Sequence, residues 1–122
     1  MAIDLTVGLV NQPGTLLRAS EALGRAGVNI DGACGFVCDG QGVYHILVDD
    51  PQQARRALID AGLEIQAEQA VVVTAVDNLP GGAAAVLRRV AAARANIDLL
   101  YLTLDGRLVL GGDAPAIQRA IS

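Results

Sequence analysis

Asn11-Gln12-Pro13-Gly14-Thr15-Leu16-Leu17, followed a helix's length later by Gly27-Val28-Asn29-Ile30-Asp31, is the stretch whose reading decides the fold. It reads as strand exit, turn, helix, turn and strand entry. A second copy lies 67 positions on. There Asn78-Leu79-Pro80-Gly81 replaces Asn11-Gln12-Pro13-Gly14, and Asn96-Ile97-Asp98 replaces Asn29-Ile30-Asp31. In both copies 16 positions separate the proline (Pro13, Pro80) from the asparagine that opens the next strand. Two turns, one helix and a helix-to-strand junction keep register without an insertion. A fixed internal period of this kind marks a repeated supersecondary unit.

Working outward, Ile3, Leu5, Val7 and Leu9 alternate with Asp4, Thr6 and Gly8, the period of a half-buried strand. Pro13 suits the first turn of a helix, where its missing N–H costs nothing. Leu16, Ala19, Leu23 and Ala26 then recur at helical spacing, with Arg18, Glu21 and Arg25 outward. Gly27 is a natural residue to end that helix. Residues 28–38 read as a strand in which Gly32 and Gly35 admit a bulge. Asp39-Gly40-Gln41-Gly42 is a hairpin turn, and residues 43–48 form the next strand. Asp50 caps a helix with Pro51 at its first position and an apolar stripe of Ala54, Ala57, Leu58 and Ala61. Leu63, Ile65 and Ala67 alternate into a fourth strand. Residues 1–69 thus read β-α-β-β-α-β.

Residues 70–122 read β-α-β-β-α. The apolar run 71–76 is expected to be a separate strand covered on both faces. Ala83, Val86, Leu87, Val90 and Ala91 are expected to form the inner stripe of its helix. Strands at 97–104 and 108–110 flank Asp105-Gly106, and Asp113 opens a last helix with Ile117, Ala120 and Ile121 inward. This second repeat lacks a fourth strand, so its sheet is expected to take an edge partner from the first repeat or from a second chain.

Composition narrows the function classes. The chain has 122 residues, 52% of them hydrophobic, but only one Phe, two Tyr and no Trp. A core of Val, Leu, Ile and Ala in units this small is marginal alone, so the repeats are expected to pack together and to dimerise. The net charge of -4 offers no basic patch for nucleic acid. No apolar run reaches the roughly 18 residues of a membrane span, and the N-terminus lacks the basic flank of a signal peptide. A cytoplasmic protein is expected. Cys34 and Cys38 lie about 13 Å apart if extended, at roughly 3.3 Å per residue, too far for a disulfide. His45, the single histidine, sits mid-strand and reads as a structural or surface residue. No nucleophile elbow, phosphate loop or metal-ligand spacing accompanies it. Asp49-Asp50 is explained by capping. The chain is expected to be no enzyme and to carry no cofactor or metal.

The doubled Asn-x-Pro-Gly turn with its Asn-Ile strand start resembles the ACT domain, a small regulatory amino-acid-binding module, over essentially the whole chain. The likeness is strongest to the serine-binding regulatory domain of phosphoglycerate dehydrogenase. It implies two ferredoxin-like units (α+β, antiparallel sheets with helices on one face), paired side by side with ligand sites at the seam. It implies an amino-acid effector, a homodimer and a regulated enzyme as a separate chain. The implied ligand-binding positions are Asn11, Gln12, Gly14, Thr15, Asn29 and Ile30 in the first repeat, and Asn78, Leu79, Gly81, Asn96 and Ile97 in the second. That family has a His two residues before the turn Asn. Leu9 and Val76 stand there in this chain, a departure that bears on serine as the ligand.

These residue types suit a zwitterion. Amides at a helix N-terminus favour a carboxylate. An Asn side chain can donate or accept and so meets either pole, while Asp31, Asp98 or Asp77 suits the ammonium. Each also has a local explanation. Asn11 and Asn78 suit a turn that bonds its own backbone, and Asn29 and Asn96 suit a helix end. The competing reading is a structural dimerisation module that binds no ligand.

Overall fold

The computed structural model describes all 122 residues, Met1–Ser122. The elements run β1 (Ala2–Val10), α1 (Thr15–Arg25), β2 (Ile30–Cys38), β3 (Gln41–Val48), α2 (Pro51–Asp60), β4 (Glu64–Thr74), α3 (Gly82–Ala92), β5 (Ile97–Leu102), β6 (Leu108–Gly112) and α4 (Ala114–Ile121). The class is α+β with antiparallel pairing. Ile3–Gln69 forms one compact unit, and Ala70–Ser122 with Met1–Ala2 forms another.

In the first unit the strands lie in the order β2-β3-β1-β4. β1 pairs with β3 from Asp4 opposite Leu47 to Val10 opposite Gln41, and β2 pairs with β3 from Ile30 opposite Val48 to Cys38 opposite Gln41. The alternation of β1 sends Leu5, Val7 and Leu9 into one core with Ile46 and Val48 of β3, Ala19 and Leu23 of α1, and Ala54 and Leu58 of α2. Both helices therefore cover the same face. In the second unit the order is β4-β6-β5. Its core joins Val72, Leu110, Val90 of α3, and Ala114 and Ile117 of α4. The bulge expected near Gly32 lies between Ile30 and Gly32, and its counterpart lies between Ile97 and Leu99.

Three expectations change. The strands read at 63–67 and 71–76 are one uninterrupted β4, because Glu68-Gln69-Ala70 holds neither glycine nor proline to break the pairing. That strand stops at Thr74, two residues short of the apolar run's end. Ala83 and Ala91 are exposed, so the α3 stripe is Val86, Leu87 and Val90 alone. Leu16, expected inward, is half exposed at the corner described below.

Local chemistry fixes the ends of the elements. Asp50 accepts from the Gln53 amide at 3.1 Å, and Asp113 accepts from the Ala116 amide at 3.2 Å, so α2 and α4 are side-chain capped. Arg55 of α2 donates through Nε to Glu68 of β4 at 2.7 Å, which raises the arginine pKa and lowers that of the glutamate. In the turn from β5 to β6, Asp105 accepts from the Thr103 hydroxyl and from Arg107 Nε at 2.9 Å. The Thr103 bond first, and Arg107 second, hold the Asp105 carboxyl below the usual carboxylate range. Cys34 and Cys38 are free thiols. No helix is long and apolar enough to cross a membrane.

α1 ends with the Val28 amide on the Leu23 carbonyl at 2.9 Å and the Gly27 amide on Gly24 at 3.0 Å, the paired bonds of a left-handed helix stop. α3 repeats this pattern, with Ala95 on Val90 at 3.2 Å and Arg94 on Ala91 at 2.9 Å. There Arg94 holds φ +55°, a conformation Gly27 adopts at +74° without a Cβ to strain. Arg94→Gly is therefore expected to raise stability by about 0.5–1 kcal/mol, read as a higher urea midpoint at unchanged slope.

Asp4, on the β1 face turned away from the helices, is fully buried. Its Oδ2 lies 2.8 Å from His45 Nδ1 of the neighbouring strand, and the Thr6 hydroxyl lies 3.4 Å from the same oxygen and 3.3 Å from the ring nitrogen. The ring of Phe36 stacks on the imidazole with centroids 5.9 Å apart. No buried side-chain polar atom lacks a partner. Truncating one member leaves the other's polar atom buried, so His45→Ala should destabilise by about 2 kcal/mol. A urea midpoint unchanged by His45→Ala would refute that role.

Candidate functional site

Each corner is built from a strand that stops and a helix that starts without a side-chain cap. β1 ends at Val10, whose carbonyl accepts from the Gln12 amide at 2.9 Å. Gly14 then turns left-handed (φ +90°, ψ -8°) and serves as the N-cap of α1. A residue with a Cβ would be strained there. The first helical bond runs from the Arg18 amide to the Gly14 carbonyl at 3.0 Å, and Thr15 Oγ1 donates to the Gln12 carbonyl at 3.2 Å. α2 and α4 have an aspartate over their first turns, whereas α1 and α3 have none. The Thr15 and Gly82 amides bond the carbonyls of Gln12 and Leu79, and the amides that follow them face no capping side chain.

At the first corner this backbone borders a cavity of about 350 Å³. Asn11, Gln12, Gly14 and Thr15 line one side. Leu9, Leu16, Gly35, Phe36, Val37 and Val43 line most of the rest, and no charged side chain contributes. A smaller recess of about 230 Å³ adjoins it, sharing Gln12 and Thr15 but bordered by Arg18, Glu64 and Gln66. Arg18 is already engaged, donating to the Ala61 carbonyl at 2.9 Å.

The second corner repeats the backbone of the first. Gly81 caps α3 at φ +85°, ψ -2°, and the Ala85 amide bonds its carbonyl at 3.0 Å. Asn78, Leu79 and Gly81 are exposed. Where the first corner has Thr15 the second has Gly82, whose amide donates to Leu79 at 2.9 Å. A Cβ on Gly82 would lie 1.9 Å from the Asp77 carbonyl oxygen.

Asn29 and Ile30 lie at the other end of the first unit's sheet. The register places Val10 opposite Gln41 and Ile30 opposite Val48, so roughly 25 Å of strand separates Asn11 from Asn29. The Asn29 side chain donates to Asp31 at 2.7 Å, and its amide donates to Asp49 at 3.1 Å. Asn96 keeps an equivalent post, its carbonyl accepting from the Asp113 amide at 3.3 Å, while Ile97 packs on the second core. One repeat by itself does not bring its two asparagines together. The apolar wall of the cavity escaped the sequence reading, because β2 reads as a plain strand and Leu16 as a core position. The one available signal was glycine at Gly35 and Gly42, where a strand ordinarily carries side chains.

A family model for the ACT domain pair matches residues 1–120. The chain belongs to the ACT domain pair family. Among solved structures it is similar to protein BT0572 from Bacteroides thetaiotaomicron, at 24% identity and a TM-score of 0.86, over 98% of this chain and 85% of that one. It is also similar to the regulatory subunit of aspartate kinase from Thermus thermophilus, ligand-free form, at 20% identity and 0.75, over 98% and 88%. The regulatory subunit of aspartate kinase from Thermus flavus matches at 21% identity and 0.59, over 99% and 95%. At these identities the likeness concerns the fold. No curated protein matches the chain.

The two ACT corners differ in tolerance. Gly82→Ala demands a shift of the Asp77 backbone and is expected to cost about 2 kcal/mol or more, whereas Thr15→Ala removes one exposed hydrogen bond and should cost about 0.5–1 kcal/mol. Urea denaturation of the two variants checks the order. An equal loss in both would contradict the geometry of the second corner.

Proposed function

We propose that this ACT pair is a regulatory module that binds an amino-acid effector at ACT–ACT interfaces and transmits its presence to a partner enzyme on a separate chain. The observation that carries the reading is the cavity at the first corner, where the uncapped amides of α1 and the side chains of Asn11, Gln12 and Thr15 meet an uncharged hollow. The helix dipole and free amides suit the effector's carboxylate, and an asparagine suits its ammonium. The ACT domain pair match and the aspartate kinase regulatory subunits among the similar structures support a regulatory role.

In this reading residues 1–69 and 70–122 are the two working ACT units. Asn29 and Ile30, with Asn96 and Ile97, complete a site by facing the corner residues of a neighbouring ACT, since the Asn11 and Asn29 of one unit lie at opposite sheet ends. Asn78, Leu79 and Gly81 form the second corner of the same design. A homodimer supplies the neighbour, and the edge strand β2, with Phe36 and Val37 about half exposed, favours one. The module acts in the cytoplasm, without cofactor, and performs no catalysis. The same exposed edge supports a second reading, dimerisation without a ligand.

A thermal-shift panel of the twenty amino acids separates the two. An effector at a hundredfold excess over its Kd adds about 2.7 kcal/mol of stability, a shift on the order of 10 °C for a chain this size. Asn11→Ala should reduce that shift strongly. If no amino acid moves the melting temperature, the sensor reading is wrong and the dimerisation reading takes its place.

A further inference from the structure

Resting on that reading, we infer that the first repeat alone takes the effector, that the effector carries a bulky uncharged apolar side chain, and that Gly35 is the residue that sets this specificity. The shape of the cavity carries the first part of the argument. Its volume of about 350 Å³ lies at the low end of the roughly 300–1,000 Å³ range of small-molecule sites, room for one amino acid and little more. Beyond the corner itself the side chains that wall it are Leu9, Leu16 and Val37, while Phe36, whose ring turns to His45 on the other face of the sheet, and Val43 opposite it border the cavity along the strands. A charged or hydroxylated side chain entering there would lose its water and find no partner among those groups, while an aliphatic or aromatic one gains by burial.

The internal repeat carries the second part. The matched bulges, between Ile30 and Gly32 and between Ile97 and Leu99, keep β2 and β5 in the same register. Gly35 of the first repeat therefore corresponds to Leu102 of the second. Gly35 faces Tyr44 across the ladder, and Leu102 faces Leu108. A Cβ built on Gly35 comes 3.7 Å from the Tyr44 ring and 3.9 Å from Leu16, pointing between the helix start and the sheet. The missing side chain at Gly35 opens the hollow beside Leu16. In the second repeat that place holds a leucine, and the Leu16 position holds only Ala83. The two corners share a backbone, yet at the position where the first has a glycine beside its hollow the second carries a leucine, about half exposed.

Isothermal titration of the whole chain with single amino acids tests this. The expected result is binding of leucine, isoleucine, phenylalanine or methionine at one molecule per chain, with no measurable binding of serine, aspartate or lysine. Gly35→Leu, which installs the residue of the second repeat, should weaken binding at least tenfold. Gly35→Ala adds a Cβ at ordinary contact distance, so it folds in any case and should weaken the largest ligand more than the smallest. Leu102→Ala, at the other repeat, should bind as the parent does. Binding of small polar or charged amino acids in place of apolar ones overturns the inference while leaving the sensor reading intact. So do two molecules per chain, or a Gly35→Leu variant that binds normally. Binding of no amino acid removes both.

Discussion

A left-handed glycine between a strand and a helix is the constraint on which this structure is organised. Gly14 and Gly81 take nearly the same φ and ψ, and each serves as an N-cap that offers no side-chain oxygen. Elsewhere in the chain helices start on an aspartate that satisfies a first-turn amide. The glycine corner leaves that amide unsatisfied by any capping side chain, at a cost in helix stability of about a few tenths of a kcal/mol relative to a good cap. What it gains is a tight approach of backbone and first-turn amides, beyond the first, that no side chain covers. A corner of this kind is less favourable as a helix start than an aspartate cap and more favourable as a place for a carboxylate.

Duplication then shows which features the fold itself requires. The corner glycine, the bulge one residue into the following strand and the paired bonds that end the helix all occur twice. Other positions have drifted between the copies. Gly27 corresponds to a strained Arg94, Thr15 to Gly82 against the Asp77 carbonyl, and Gly35 to Leu102. The conserved set holds the backbone path, while the drifted set decides what each corner can admit.

Much of this fold was legible from residues alone. Pro13, Gly27, Asp50, Asp113 and the doubled Asn-Ile fixed the ends of elements, because each has a steric or hydrogen-bonding reason to sit where chain direction changes. Periodicity placed Leu5, Val7, Ala19, Leu23 and Leu58 in the core, where they lie buried. That a single strand runs through the boundary of the two repeats was not legible. An apolar run after an alternating one looks like two strands, and only hydrogen-bond continuity shows that β4 is a single strand. The cavity was half legible: the turn residues on its rim carry local signals, but its floor is an absence of side chains, which composition cannot display. Asp4 was read as an outward residue of an alternating strand. Its burial depends on tertiary surroundings and on a partner 41 positions away.

That aspartate bears on the site despite lying far from it. A strand paired one residue out of register exchanges its two faces. In β1 the penalty for such a slip is unusually large, because it would turn Asp4 into the helix-covered core and separate it from His45. The Asp4–His45 contact thus pins β1 to β3 at one end of the ladder. The pairing then runs without a shift to Val10 opposite Gln41, the last rung before the glycine corner. Leu9, on the cavity wall, and Asn11, on its rim, inherit their positions from that register. Together with the burial of Leu5, Val7 and Leu9, a polar pair at the far end of the sheet thus helps to set the register that brings Leu9 to the cavity wall.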